Sequence, residues 1–310
     1  MWGYADGHCD TIVKLLEEKK RLFRNDEQLD IEKMQTYATP VQVFAIWLDP
    51  KYYPSAMRQT MKYIKFYYSE IEGNSEFIGH VNSFADILQN RREKKISALL
   101  AIEGGEALEG EISALHIYHR LGVRLITLTW NHRNQLADGV AETGGRGGLT
   151  NFGRQVIGEM ERLGMIVDVS HLSETGFWDV AEIAVKPFIA SHSNAKTICD
   201  VPRNLSDEQL RAIAQNGGIV GINLYAPFLA ADREADMEDI LRHIYHMISI
   251  VGEDGIAMGS DLDGTDHLPI GISNVLDVKR IFERVEKEFG IRVAQKFASE
   301  NLLRVINQVL

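Results

Sequence analysis

Two cysteines, Cys9 and Cys199, are all that 310 residues contain. That is too few for a disulfide framework and suits a reducing compartment. No apolar run approaches the roughly 18 residues of a membrane span. The opening Met1-Trp2-Gly3-Tyr4-Ala5-Asp6 has neither the basic segment nor the apolar stretch of a secretion signal. The expected location is therefore the cytoplasm, with no membrane partner. Positive charge is also scarce, since 33 Lys and Arg stand against 44 Asp and Glu, a net charge of −11. Nucleic acids and anionic membranes are bound chiefly through Lys and Arg, so neither is expected. Internal sequence repeats and low-complexity segments are missing as well.

What is present is a globular composition, 45% hydrophobic and 25% charged, with enough apolar residues for a sizeable core. Strand-like apolar runs recur at 4–7, 41–48, 96–102, 123–129, 165–169, 187–190, 218–224 and 255–259. Amphipathic stretches lie between them, among them 11–20, 111–121, 151–163, 174–185 and 236–251, at a spacing that suits parallel strands joined by helices. Gly122, Gly164 and Gly252 supply helix stops, and Ser206 with Gln209 reads as a capping box opening a helix over 207–215 that Gly217 ends. Eight such units predict a (β/α)8 TIM barrel, with a doubly wound open sheet as the alternative. The expected layout is one catalytic domain over 1–310, with a helical insertion around 51–95. A helical tail around 272–310, divided near Gly290, is expected to cover the barrel or a neighbouring subunit.

In a barrel of this kind the reacting groups gather at the C-terminal ends of the strands. Polar side chains follow four of the apolar runs, at Gly7-His8-Cys9-Asp10, Ala101-Ile102-Glu103-Gly104-Gly105, Val167-Asp168-Val169-Ser170-His171 and Ser191-His192-Ser193. Alternation puts His8 and Asp10 on one face and Cys9 on the other, and such a pair can grip one metal ion. Glu103 has two oxygens and can bridge two ions, while Gly104-Gly105 lets the backbone turn. His171 and His192 can complete a second position. Histidines and carboxylates without a thiolate cluster suit zinc, with manganese, cobalt or iron as alternatives. Each residue alone has a plainer reading, as a hydrogen-bonded histidine or a paired carboxylate. Five of them at successive strand ends point to a two-metal hydrolase.

Asp261, in Gly259-Ser260-Asp261-Leu262-Asp263-Gly264, can hold a water and shuttle its proton; Asp263 is its rival, and the plain alternative, an Asp-rich turn, fits Asp263 and Asp266 better than Asp261. Arg203, after Pro202, can clamp a substrate carboxylate or form a surface ion pair. The pairs His116/His119 and His243/His246 lie three apart on helices and read as solvent-facing or packing residues, and Tyr63, Phe66, Tyr67 and Tyr68 as helix packing or an interface. The glycine-rich stretch 144–148 fits neither the Walker spacing nor G-x-G-x-x-G and reads as a flexible loop near the mouth.

Taken in order, these motifs resemble the membrane (renal) dipeptidase family of zinc hydrolases over nearly the whole chain. The matches are Asp6-Gly7-His8-x-Asp10, Glu103-Gly104, Val167 through His171, Ser191-His192-Ser193, Pro202-Arg203-Asn204-Leu205, Gly217-Gly218-Ile219-Val220 and Gly259 through Gly264. The resemblance implies a metal-dependent-hydrolase barrel holding two Zn2+ bridged by Glu103, one also bound by His8 and Asp10, the other by His171 and His192. It further implies a metal-bridging hydroxide as nucleophile, Asp261 as proton carrier, and Arg203 on the substrate's C-terminal carboxylate with Tyr225 assisting. Dipeptide substrates, including those with a C-terminal D-residue, and a homodimer follow from the same resemblance. Three features depart from the family pattern. Leu128-Thr129 is followed by Trp130 where vertebrate members carry a substrate-contacting histidine, with His132 two residues later as the substitute; Cys9 stands where asparagine is common; and the secretion signal and lipid-anchor tail of animal members have no counterpart. The expected protein is a cytoplasmic, bacterial-type zinc dipeptidase. The alternatives are a related hydrolase of lactones or cyclic amides, or a metal-bearing binding protein without turnover.

Overall fold

Apolar alternation in short runs, each followed by a helix-length amphipathic segment, produces a parallel sheet in the computed structural model, which describes residues 1–142, 144 and 147–310. The strands are β1 (Gly3–Cys9), β2 (Ala38–Trp47), β3 (Ile78–His80), β4 (Ile96–Glu103), β5 (Val123–Thr127), β6 (Ile166–Asp168), β7 (Val220–Ile222) and β8 (Ile256–Met258). Seven of them lie side by side in the order β6-β5-β4-β2-β1-β8-β7. The ring closes through single bridges from Asp168 to Ile189 and from Ala190 to Val220. The result is the predicted (β/α)8 barrel, closed where an open sheet would have left two free edges.

Two strands differ from expectation. The run 187–190 contributes only its last two residues to the ladder, because Pro187 has no amide to donate and the Phe188 amide is taken by Asn216 Oδ1 at 2.8 Å. Within the insertion, which was expected to be helical, β3 pairs with the first half of β4, opposite Ile96 to Ala98. On that same edge β5 takes over from Leu100 onward, so β3 fills the gap at the base of the barrel. The rest of the insertion is helical as expected, with a 3-10 turn at Pro50–Ser55 and helices Ala56–Gly73 and Phe84–Arg92.

Side chains alternate across each strand. Those on the outer face, such as Phe44, Ile102, Ile126 and Met258, pack against the ring of helices. The inner face is built from Ala5, Val43, Ala45, Leu99, Ala101, Leu125, Ile166 and Ala257, which pack with Leu302, Val305 and Ile306. Those last three belong to the terminal helix Asn301–Val309, so the tail plugs the N-terminal end of the barrel. Asn301 fixes the plug by donating to the carbonyls of Glu253 and Ile256 at 2.7 and 2.8 Å. The tail starts with helix Val275–Phe289, breaks at Gly290 (φ 84°) as predicted, and then continues in one helical run over 291–309 that widens into a π turn at Lys296–Glu300. Ser206 and Gln209 form the expected capping box at the start of helix Asp207–Gln215. Among the described residues no helix is long and apolar enough to cross a membrane. With one mouth sealed by aliphatic side chains, the C-terminal mouth is the open one.

Candidate active site

At the end of β1 the pairing with β2 changes register between Asp6 and Cys9. Cys9 turns into the outer core, while the imidazole of His8 lies 3.4 Å from Asp10 Oδ2 and 3.5 Å from Glu103 Oε2. Glu103 is the last residue of β4, opposite Trp47. Gly104 then turns the chain at φ 97°, a backbone conformation for which glycine is needed. The second Glu103 oxygen, Oε1, faces His171 Nε2 at 3.0 Å and His192 Nε2 at 3.5 Å, and the two Nε2 atoms are 3.0 Å apart. Asp261 Oδ1 approaches His8 Nε2 at 4.0 Å, and Asn223 Nδ2 donates to the other Asp261 oxygen at 3.0 Å. His171 and Asp261 hold left-handed backbone at φ 65° and 61°, a conformation that non-glycine residues adopt mainly where surrounding structure enforces it. Five strand-end residues expected from sequence, and Asp261 beside them, therefore meet in one cluster.

The electrostatics of this cluster are those of a cation site. Burial opposes charge on His8, yet the carboxylates of Glu103 and Asp10 outweigh it and raise the imidazole well above its ordinary value. Glu103 is correspondingly held low: burial works against its charge, and His8, His171 and His192 more than compensate. Burial pushes His171 down to about 4 and His192 well below its ordinary value, so both rings are neutral with lone pairs to offer. Burial, together with the neighbouring Asp10 and Glu103 carboxylates, pushes Asp261 up to about 7. Two observations test whether metal suits the site. Both ring nitrogens of His8 and Oδ1 of Asp10 are buried without a hydrogen-bond partner among the described residues. Two neutral Nε2 atoms also converge on one carboxylate oxygen. Donor atoms of His8, Asp10 and Glu103, and of Glu103, His171 and His192, lie within 4.8 Å of one another in each group. Imidazole and carboxylate donors at such spacing fit divalent metal.

The structure treats the other candidates unequally. Asp263, the rival of Asp261, is fully engaged: it accepts from Thr11 Oγ1 at 2.5 Å and the Gln28 amide at 2.8 Å, and returns its own amide to Gln28 Oε1 at 2.7 Å. Its work is to hold the loop. Arg203 is 6% exposed, donating from Nη1 to Ser193 Oγ at 2.9 Å and from Nη2 to the His192 carbonyl at 3.0 Å, while its Nε is unpartnered among the described residues. Tyr225 is half-buried, with its ring 4.6 Å from that of Phe228, the residue over which the Arg203 guanidinium also lies. His132 is not brought to the cluster. Its side chain is 58% exposed, 3.8 Å from Glu142, and Trp130 takes the place on the wall. A cleft of 290 Å³ opens over Asp10, Glu103, His171 and Asp261, walled by Lys14, Glu17, Trp47 and Trp130, whose indole rings meet edge to face at 5.2 Å. The glycine-rich stretch 144–148 falls partly outside the described residues.

Sequence reasoning missed Asn131, whose Oδ1 lies 2.8 Å from His171 Nδ1, and Asn223. Asn223 follows β7 directly, so the strand-end rule applied to that run would have found it. Asn131 sits in an irregular loop and carries no such signal.

A closed α/β barrel that gathers imidazoles and carboxylates at its C-terminal mouth is the architecture of a metal-dependent hydrolase. A profile of the membrane dipeptidase family (peptidase family M19) matches residues 3–310, and the chain belongs to that family. A dipeptidase of Aspergillus oryzae, aclJ, is 30% identical over 98% of this chain and 78% of its own length. The crystal structure of a family M19 metallopeptidase, dipeptidase AC, superposes with a TM-score of 0.92 at 28% identity, covering 99% of this chain and 98% of that one. A metallopeptidase from Rhodobacter sphaeroides, solved with a phosphinate mimic of the dipeptide L-Ala-D-Ala, gives 0.90 at 27% identity over 100% and 99% of the two chains.

Proposed function

We propose that the protein, as one catalytic domain over 1–310, hydrolyses the peptide bond of dipeptides with free termini, including those with a C-terminal D-residue, using two zinc ions. The observation that carries this reading is the division of the Glu103 carboxylate, with one oxygen toward His8 and the other toward His171 and His192. His8 and Asp10 would hold one ion, His171 and His192 the other, and Glu103 both. When bound, the metal pair supplies Lewis acidity that polarises a carbonyl and lets water react near neutral pH. Asp261, steadied by Asn223, accepts the proton that the attacking water loses and delivers it to the departing amine. Arg203 keeps a buried Nε–H without a partner among the described residues, for which a carboxylate is the complementary group, and Tyr225 packs beside it through Phe228. His132, at the rim, stands outside this proposal. The likeness to a relative solved with an L-Ala-D-Ala mimic supports the substrate class. Two free, buried cysteines suit a cytoplasmic enzyme, and family likeness suggests a homodimer.

The test is hydrolysis of L-Ala-D-Ala by zinc-loaded protein against the chelated form. Turnover that needs zinc is the expected result. Zinc uptake without turnover on any dipeptide would reject the reading in favour of a lactone or cyclic-amide substrate, or of a binding role.

A further inference from the structure

Asp168 lies beneath the cluster and touches no candidate metal position, yet its hydrogen bonds are completely specified. Oδ1 accepts the amides of Ser170 and Ser191 at 3.0 and 2.8 Å, and Oδ2 accepts the hydroxyls of Thr127 and Ser191, both at 2.6 Å. All four acceptor positions of an ionised carboxylate are thereby filled. A carboxylate can only accept, so the single proton of Ser191 Oγ is committed to Asp168. Ser191 Oγ also lies 2.7 Å from His192 Nδ1, and having spent its proton it can only accept there. His192 therefore carries its proton on Nδ1, leaving the Nε2 lone pair directed at Glu103 and His171. Asn131 Oδ1 imposes the same tautomer on His171 from 2.8 Å.

Ser191 is itself seated with unusual tightness. Gly7, Gly221 and Gly259 surround its carbonyl oxygen inside the barrel, and a Cβ at those positions would come within 2.9, 2.0 and 1.8 Å of it. Strands β1 and β7, and the residue just past β8, thus give up side chains at the level where Ser191 sits. No equivalent support reaches His8, whose Nδ1 has no partner among the described residues. Its neighbour Asp6, the counterpart of Asp168 on β1, binds the His8 and Ser260 amides but not the ring.

We propose that Asp168 and Ser191 are positioning residues, forming a carboxylate–hydroxyl–imidazole relay that fixes the tautomer of His192 and so prepares the His171/His192 half of the centre for metal. The inference rests on the binuclear reading above. Outer groups of this kind typically change metal affinity by about 10–100-fold.

The experiment compares the full-length parent with Ser191→Ala and Asp168→Asn. Zinc Kd is measured by chelator competition, and ¹⁵N shifts of the histidine rings are recorded in metal-free protein. The relay predicts that Ser191→Ala weakens one zinc of the two by about 10–100-fold and that the His192 ring loses its Nδ1-protonated signature, with circular dichroism unchanged. Because Asp168→Asn disturbs four bonds and is at risk of misfolding, Ser191→Ala is the deciding variant. Two zinc ions bound by Ser191→Ala with parental Kd and unchanged ring shifts overturn the relay while leaving the dipeptidase reading intact. A parent that takes up no zinc overturns both.

Discussion

The two ends of the barrel are built from the same strands with opposite chemistry. At the N-terminal end Leu302, Val305 and Ile306 meet the inward alanines and valines, and Asn301 and Arg304 tie the plug to backbone carbonyls. At the C-terminal end the inward positions become Glu103, Asp168 and Ser191, and His171 and Asp261 are held in left-handed backbone. One end contributes stability by burying apolar area. The other concentrates buried carboxylates and neutral imidazoles, an arrangement that costs stability until something positive occupies it. The lesson is a division of labour within each strand, whose lower residues hold the fold that its last residue strains.

Substitutions should separate the two ends cleanly. Glu103→Ala, at the open mouth, is expected to lower kcat on the order of 10³-fold or more while leaving circular dichroism unchanged; an active variant would show that the cluster does not depend on this carboxylate. Arg203→Ala should reduce kcat/KM for free dipeptides by roughly 10- to 100-fold, the worth of a charged hydrogen bond, mostly through KM, and spare a C-terminally amidated substrate. Leu302→Ala, at the sealed mouth, should do the reverse, costing about 2–5 kcal/mol in urea unfolding with kcat intact. A loss of turnover at 25 °C in a folded Leu302→Ala protein would mean the plug and the site are coupled.

The smallest effect concerns pH. His80 on β3 and His243 on the helix Met237–Val251 are both pushed by burial down to about 4. In the unfolded chain each titrates near 6.5. Above that value both states are neutral and the contribution is complete; as pH falls from 6.5 toward 4 the unfolded chain gains protons that the fold refuses, and stability is lost. The urea midpoint should fall between pH 7 and pH 5. Replacing His243 with Gln should flatten part of that slope, and an unaltered slope would place the titration elsewhere.

Much of the site was legible because barrel strands end where polarity begins. His8, Asp10, Glu103, His171 and His192 each follow an apolar run, so their position could be read without knowing their contacts. Asp261 is preferred to Asp263 on sequence because Asp263 fits an Asp-rich turn better, and the partners supply the physical difference: Thr11 and Gln28 claim Asp263, and Asn223 steadies Asp261. The strand β3 was invisible because three residues carry too little alternation to register. Trp130 displaced His132 from the wall for a reason of loop path that residue spacing does not encode. The functions of Ser191 and Asn131 depend on which hydrogen-bond acceptor lies within reach across the barrel, and only folded geometry decides that.

The closure of the ring has a consequence for how the protein comes to exist. Asp6 on the first strand accepts the amide of Ser260, just past the last strand, and Cys9 bridges Leu262. The donors from the first strand therefore meet Asp261 only when the two ends of the barrel join. A chain that stops short of β8 carries every imidazole and carboxylate named as a candidate metal ligand and still lacks Asp261 and the contacts that close the ring, so the site is complete only when the segment past β8 joins the first strand.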